Sequence, residues 1–209
     1  MEFKLATEVS DEMIFSVWQE GYSDYIYKFE IDMKTFVSRF IENEALREYS
    51  FIAFDNDQPI GVILGNIKEY DGIKTMRCGG FAVIPDYRSK GIGKLLLEKN
   101  FELAVKNDCK QLYLEVLKEN HKAVKFYETA GYMPVYDYRF YKNEDVDFKT
   151  GIKAEIQEVS FETIRALREN LHEIHLFWQG EMFTLEHFDN IRNYAIYEHD
   201  ELITILCWH

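Results

Sequence analysis

The stretch of this 209-residue chain that decides its fold reads Val83-Ile84-Pro85-Asp86-Tyr87-Arg88-Ser89-Lys90-Gly91-Ile92-Gly93-Lys94. It follows an apolar run typical of a strand and opens a run with helical spacing of apolar residues. The two glycines allow a tight turn in which several backbone N–H groups point in one direction. The helix start adds the positive end of its dipole, and Arg88, Lys90 and Lys94 add full charges. Together these features suit a pyrophosphate group.

Two common phosphate-binding loops do not fit this stretch. A dinucleotide-binding loop would need a third glycine where Leu96 stands, and a P-loop would need Ser or Thr where Leu95 follows Lys94. An ordinary strand-to-helix turn remains the alternative for Gly91 and Gly93. The elements around the loop are therefore needed to decide between a phosphate-binding loop and a simple turn.

Strands and helices alternate on both sides of the glycine loop. Local patterns predict a strand at 3–6, a helix capped by Ser10, a hairpin at 51–63, a strand at 76–83, a helix at 94–105, a strand at 111–117, a helix at 120–129 and final strands at 132–141. Gly79 and Gly80 inside a strand predict a β-bulge. This order predicts an α/β structure around a mixed sheet.

The chain also repeats part of itself after residue 150. Residues 8–14 are echoed by residues 158–164, and the predicted hairpin at 51–63 is echoed by residues 194–205. The polar stretch 143–147 separates the copies, so we expect one domain at 1–147 and a partial second copy at 148–209. The second copy contains no glycine loop and is expected to have no phosphate site of its own.

A second motif follows the glycine loop at a regular distance. Its members are Leu114-Glu115-Val116, Asn120, Ala123, Phe126-Tyr127 and Gly131-Tyr132. Together with Arg-x-x-Gly-x-Gly at 88–93, it resembles the two motifs of the GCN5-related N-acetyltransferase (GNAT) superfamily, over about residues 3–142. With the C-terminal echo, the layout resembles bacterial tandem acetyltransferases whose second unit is incomplete.

The resemblance implies a GNAT-type α/β fold with a mixed, largely antiparallel sheet flanked by helices. It also implies acetyl-CoA as co-substrate, with its pantetheine arm lying between two parallel strands that splay apart and a bulge aiming a backbone N–H at the thioester oxygen. The residues implied to bind it are Phe81, Ala82, Val83, Arg88, Ser89, Lys90, Gly91, Ile92, Gly93, Lys94, Asn120 and Tyr127. Asn120 is equally expected to cap the helix that follows it.

The resemblance implies two catalytic side chains. Tyr127 matches the residue that gives a proton to the coenzyme A thiolate, although a core aromatic residue is the alternative. Glu115 matches a general base of the ribosomal-protein alanine acetyltransferase branch, and a solvated strand carboxylate is its alternative. Many relatives take the base from the preceding strand, where this chain offers only Arg77 and Cys78.

Two further carboxylates, Glu69 and Asp71, therefore remain candidates for the base. The segments 22–27 and 68–74 are the variable ones in which acceptor specificity is expected, because a fold alone does not fix a substrate. A small-molecule amine and a peptide amine both remain open as acceptors.

Composition limits the classes of partner. With 24 basic and 37 acidic side chains, the formal net charge is −13, which disfavours binding to nucleic acid and to anionic membrane surfaces.

Three widely spaced cysteines indicate reduced thiols, and the first segment, 1–4, lacks a signal-peptide layout. Both features indicate a cytoplasmic protein. The spacing at 172–175 is not that of a metal site, so no metal is expected. Apolar residues near 202–208 need a partner surface, which leaves a homodimer open.

Three functions compete at this point. The first is an enzyme that transfers an acetyl group from acetyl-CoA to a primary amine by direct attack in a ternary complex. The second is a catalytically weak acyl-CoA-binding module used for sensing or assembly, and the third is a structural interaction protein. The complete loop together with Tyr127 and Glu115 favours the enzyme.

Overall fold

The computed structural model describes residues 1–38, 45–139, 155–170, 174–188 and 190–208. The chain divides into two compact units, Met1–Met133 and Pro134–His209. The polar stretch 143–147, where the sequence predicts the domain boundary, lies outside the described residues.

The first unit is built on a five-stranded sheet whose spatial order, β1-β2-β3-β4-β5, follows the chain. The strands are β1 (Glu2–Leu5), β2 (Leu46–Asp55), β3 (Gln58–Tyr70), β4 (Ile73–Val83) and β5 (Gln111–Leu114). Its helices are α1 (Asp11–Gly21), α2 (Met33–Phe36), α3 (Ile92–Lys106) and α4 (His121–Thr129), with 3₁₀ turns at Ala6–Glu8 and Pro85–Tyr87. The β4–β5 pair is parallel and the other described pairs are antiparallel, which confirms the mixed, largely antiparallel sheet.

Helices α1 and α3 pack on opposite faces of this sheet. A Cβ atom at Gly61 of β3 would touch Leu96 of α3, whereas one at Gly21 of α1 would lie 2.6 Å from Ala82 Cβ of β4. Ala82 pairs with Val62, the neighbour of Gly61, and neighbouring residues of a strand point to opposite faces. Both faces are therefore covered, and the end of α1 lies directly on the end of β4.

Two predictions about residues 1–147 are wrong. Residues 132–139, expected to form the last strands, contain no strand; Pro134 has no backbone N–H to donate to a ladder, and Met133 and Val135 are exposed. The segment 68–74, expected to be a variable loop, is the tip of the β3–β4 hairpin. Its strands pair up to Tyr70 and Ile73 around a two-residue turn.

The second unit contains a separate three-stranded antiparallel sheet in the order β6-β7-β8. Its elements are β6 (Glu155–Val159), α5 (Phe161–Glu169), α6 (Met182–Leu185), β7 (Arg192–Glu198) and β8 (Glu201–Trp208), with a 3₁₀ turn at Trp178–Gly180. Ser160 caps α5 by accepting a hydrogen bond from the Thr163 N–H at 3.1 Å.

Candidate functional site

The first unit contains a cavity of about 540 Å³ at the point where two parallel strands separate. Pairing of β4 with β5 ends at Cys78 and Leu114. From these residues onward, 78–83 of β4 and 114–116 at the end of β5 line the same cavity from two sides. The splayed pair that the sequence resemblance implies is therefore present, with a gap into which an extended molecule fits.

A β-bulge shapes the β4 side of this gap. Leu64 pairs with Gly80 and Gly65 pairs with Cys78, so Gly79 is an extra residue without a partner on β3. This confirms the bulge predicted from the two glycines. Because a bulge reorients the strand beyond it, the backbone of β4 enters the cavity with a new direction from Gly80 onward.

The glycine loop at the start of α3 forms one end of the cavity. Ser89 and Gly91 have φ angles of 61° and 85°, so the loop backbone passes twice through the left-handed region. Gly91 is the N-cap of α3 and no side chain caps the helix, so the first-turn N–H groups have no partner within the helix. A Cβ atom on Gly91 would find no protein atom within 4 Å, and Gly91 lines the cavity. The loop therefore fits a pyrophosphate.

Arg88 lines the cavity, but much of its guanidinium is already engaged. Its Nη1 and Nη2 donate to the two carboxylate oxygens of Asp24 at 2.6 and 2.8 Å, and Nη2 and Nε donate to the carbonyls of Gly21 and Val83, both at 2.9 Å. The hydrogen bonds from Arg88 to the Asp24 oxygens also lower the pKa of the Asp24 carboxyl. Arg88 therefore ties the end of α1 to the end of β4, a role that the sequence did not suggest.

Two residues of the implied binding set do not line the cavity. The Lys90 ammonium lies 4.6 Å from the ring centroid of Tyr87. The Ile92 side chain is buried in the hydrophobic core, because α3 needs that position to pack on the sheet. By contrast, Ser89 and Lys94 do line the cavity. Direct contact from the Lys90 and Ile92 side chains is thus not supported.

Tyr127 lies on α4 and lines the cavity. Its ring packs against Phe81 and Phe126, with centroids 6.1 and 5.5 Å away. Burial raises the pKa of the Tyr127 phenol well above its ordinary value, and the nearby Cys78 and Tyr22 raise it further. The phenol therefore keeps its proton near neutral pH, and the raised pKa means that it gives this proton up only to a strong base.

Glu115 also lines the cavity, and it is the counter-ion of a buried arginine. Arg77 Nη2 lies 2.8 Å from Glu115 Oε2, and the Tyr113 hydroxyl lies 3.2 Å from Oε1. Arg77 is only 2% exposed and Glu115 is 23% exposed. The carboxylate is thus held in place while part of it still faces the cavity. Glu69 and Asp71, the other candidate bases, lie at the hairpin tip and do not line it.

Asn120 lies where both a helix cap and a cavity-lining residue were expected. Its side-chain oxygen accepts a hydrogen bond from the Ala123 N–H at 3.2 Å, which makes it the N-cap of α4. The residue also lines the cavity.

Several cavity residues lie outside the binding and catalytic residues that the sequence resemblance implies. From the end of α1 and the segment after it come Tyr22, Asp24, Tyr25 and Ile26, and Lys122 comes from α4. The aromatic and acidic character of 22–27 was the available signal, and it predicted acceptor specificity rather than contact with β4. Cys78 lies in the cavity wall, and burial raises the pKa of its thiol to about 12, so it is a neutral wall residue near neutral pH.

Comparisons with known proteins point to the same part of the chain. The sequence model of the acetyltransferase (GNAT) family matches residues 10–132, which include the residues that line the cavity. N-alpha-acetyltransferase 30 of Schizosaccharomyces pombe is 29% identical over 127 residues, covering 59% of this chain and 76% of that protein. Acetyltransferase PseH of Campylobacter jejuni is 36% identical over 118 residues, covering 53% of this chain and 64% of that protein.

A solved structure, the NatC complex bound to Gag peptide and CoA, has a similar fold. It superimposes with a TM-score of 0.51 at 23% identity, over 65% of this chain and 87% of the matched chain. Within the described ranges, no cluster of three or more His, Cys, Asp or Glu side chains could hold a metal ion. None of the helices described is long and apolar enough to cross a membrane.

Proposed function

The chain belongs to the acetyltransferase (GNAT) family and is an acetyl-CoA-dependent N-acetyltransferase, and from that premise we propose that the cavity between β4 and β5 is its transfer site. The splay beyond Cys78 and Leu114 supports this, because it offers an extended pantetheine arm a strand edge. The first turn of α3 at one end of the cavity supports a site for the pyrophosphate. The acetyl group then lies near the bulge.

The side chains around the gap suit direct attack by an amine. The amine nitrogen attacks the thioester carbon, the carbonyl electron pair moves to oxygen, and the carbon–sulfur bond breaks as that pair returns. Glu115 takes the surplus proton of the nitrogen, directly or through water, and Tyr127 gives its proton to the departing thiolate. The products are an amide and the free thiol, and the proton on Glu115 returns to Tyr127 through solvent.

We expect Glu115→Gln to lower kcat by about 10²-fold, the lower end of the range for general base catalysis. The reason is that the amide has the shape of the carboxylate but cannot take the proton. Initial rates of CoA release at saturating acetyl-CoA measure the effect. Affinity for acetyl-CoA, measured by calorimetry, should change little.

The buried Arg77 requires a control for this variant, because its ion pair with Glu115 is lost and the fold is weakened. The double variant Arg77→Met, Glu115→Gln removes both charges, so its thermal stability should recover relative to the single variant. If Glu115 is the base, kcat stays low in the double variant. Recovery of kcat would mean that Glu115 acts only as the counter-ion, and the proposed role would be wrong.

The acceptor that we propose is the terminal α-amine of a peptide with an apolar first residue. The observation that carries this is the similarity to N-alpha-acetyltransferase 30, which extends over 59% of the chain. Tyr25 and Ile26 line the cavity on the side of α1, and Ile26 and Tyr27 are 55% and 60% exposed, so apolar surface adjoins the site. Such a surface suits an apolar side chain better than a charged one.

A matched peptide set tests this acceptor. We expect a peptide beginning with Leu to release CoA faster, by kcat/KM, than the same peptide beginning with Asp or carrying a blocked α-amine. A blocked peptide with a free lysine side chain separates the α-amine from the ε-amine. A higher kcat/KM for the lysine peptide, or for a small free amine, would contradict the proposal.

We further propose the domain division 1–147 and 148–209, with the second part a partial, catalytically silent repeat as in tandem acetyltransferases. The shared layout supports it: β6, α5, β7 and β8 follow the order of β1, α1, β2 and β3, and both sets of strands are antiparallel in the same spatial order. Both helices are capped by a serine, Ser10 and Ser160. The sequence at 155–208 contains no Arg-x-x-Gly-x-Gly segment.

A further inference from the structure

One hydroxyl group lies at the bulge and has no role in the mechanism above. The backbone N–H of Phe81, two residues past the extra residue Gly79, donates a hydrogen bond to the Tyr22 hydroxyl at 3.2 Å. Both residues line the cavity. The backbone N–H just past the bulge is therefore already hydrogen-bonded to the side chain of Tyr22, which is 59 positions away in the sequence.

The Tyr22 ring is held firmly in this place. Gly21 lies so close to Ala82 that even a methyl group there would collide with the Ala82 Cβ, which sets the end of α1 against β4. Arg88 donates to the Gly21 carbonyl and to Asp24, so the chain is tied on both sides of Tyr22. The ring itself packs on Trp18, with centroids 5.1 Å apart. This degree of support suits a group that must be positioned before a reaction.

The hydrogen bond also determines what the hydroxyl can do. Since the Tyr22 oxygen accepts from the Phe81 N–H, the hydroxyl proton is left for donation to another acceptor. Burial raises the pKa of this phenol far above its ordinary value, so it stays neutral near neutral pH. Tyr22 is thus a hydrogen-bond donor that does not lose its proton.

We propose that Tyr22 is a further catalytic residue, whose hydroxyl accepts from the Phe81 N–H and donates its own proton in a hydrogen bond to the thioester oxygen as negative charge develops there. The Phe81 N–H, whose nitrogen is 3.2 Å from Tyr22 Oη, holds the hydroxyl oxygen in place and leaves the hydroxyl proton as the donor for the thioester oxygen. The oxygen receives the carbonyl electron pair when the amine attacks and returns it when the carbon–sulfur bond breaks. Tyr22 keeps its proton throughout, and the inference rests on the proposed transfer site.

This role differs from that of Tyr127. Tyr127 transfers a proton to the sulfur after the bond breaks, whereas Tyr22 stabilises charge on the oxygen before it breaks. The two phenols reach the cavity from different helices, α4 and the end of α1, which allows them to approach the thioester from different sides.

The kinetic test is Tyr22→Phe, which keeps the ring packed on Trp18 and removes only the hydroxyl. We expect kcat to fall about 10²-fold, the scale for loss of one oxyanion donor, with little change in acetyl-CoA affinity. Tyr132→Phe is the matched control, because Tyr132 is a partly buried phenol of the same unit that does not line the cavity. Equal kcat in Tyr22→Phe and wild type would overturn the proposal.

A spectroscopic test reports on the hydrogen bond without any acceptor. In the wild type, the infrared carbonyl band of bound ¹³C-labelled acetyl-CoA should lie at lower frequency than the free band, because hydrogen bonds weaken the carbonyl bond. In Tyr22→Phe it should move back toward the free value. An unmoved band, or tighter binding with a higher kcat, would make Tyr22 a packing residue or an obstacle to the substrate, and the proposal would be wrong.

The two readouts keep this inference separate from the transfer site itself. If a substitution in the glycine loop leaves the affinity for acetyl-CoA unchanged, the transfer site is contradicted. If the wild type binds acetyl-CoA at this loop but Tyr22→Phe does not move the carbonyl band, only the role of Tyr22 is contradicted.

Discussion

Gly91→Val is expected to abolish acetyl-CoA binding while the chain remains folded. Gly91 lines the cavity, has a φ of 85° and has no protein atom within 4 Å of an added Cβ, so a valine would project into open space beside the proposed pyrophosphate site. The branched side chain would keep the pyrophosphate away from the first-turn N–H groups of α3. Calorimetry at concentrations that saturate the wild type should show no binding, and residual binding elsewhere is not expected because 155–208 contains no similar loop.

A matched glycine separates this effect from backbone strain. Gly72, in the β3–β4 turn, has a φ of 70°, also has no atom within 4 Å of an added Cβ, and does not line the cavity. A left-handed valine costs about 1–2 kcal/mol of stability at either position. Gly72→Val should therefore lose similar stability but bind acetyl-CoA normally. If a folded Gly91→Val protein keeps wild-type affinity, the pyrophosphate does not bind at this loop.

Tyr127→Phe is expected to lower kcat by about 10²–10⁴-fold, the usual contribution of a general acid. The phenol is protonated near neutral pH, and burial raises its pKa further above the ordinary value. Its removal leaves the thiolate without that donor. The aromatic ring remains packed against Phe81 and Phe126, so the cavity keeps its shape. Acetyl-CoA affinity should be unchanged, and steady-state CoA release measures the loss.

The neighbouring phenol Tyr132 provides the control for this prediction. Its ring centroid is 5.9 Å from that of Tyr127, and burial raises its pKa as well, but it does not line the cavity. Tyr132→Phe should therefore retain the wild-type kcat. Equal rates in the Tyr127→Phe and wild-type enzymes would leave Tyr127 as a core aromatic residue.

Several elements of the fold could be predicted from the sequence because they depend on local properties. Ser10 and Asn120 cap their helices as expected, since capping needs only a side-chain oxygen near the first-turn N–H groups. The bulge at Gly79 followed from two glycines inside a strand. The strand expected in 132–141 did not appear in the described part, because a strand requires a partner that local pattern does not provide.

The sequence by itself determined the glycine loop, the second motif and therefore the family and the co-substrate class, because these reside in short segments with regular spacing. Only the tertiary structure decided what the side chains around the loop do. Arg88 is bound to Asp24 across 64 positions, Phe81 to Tyr22 across 59, and Arg77 to Glu115 across 38. These pairs form because α1 packs on β4 and because β4 separates from β5 at a particular point. A local pattern of residues does not predict either arrangement.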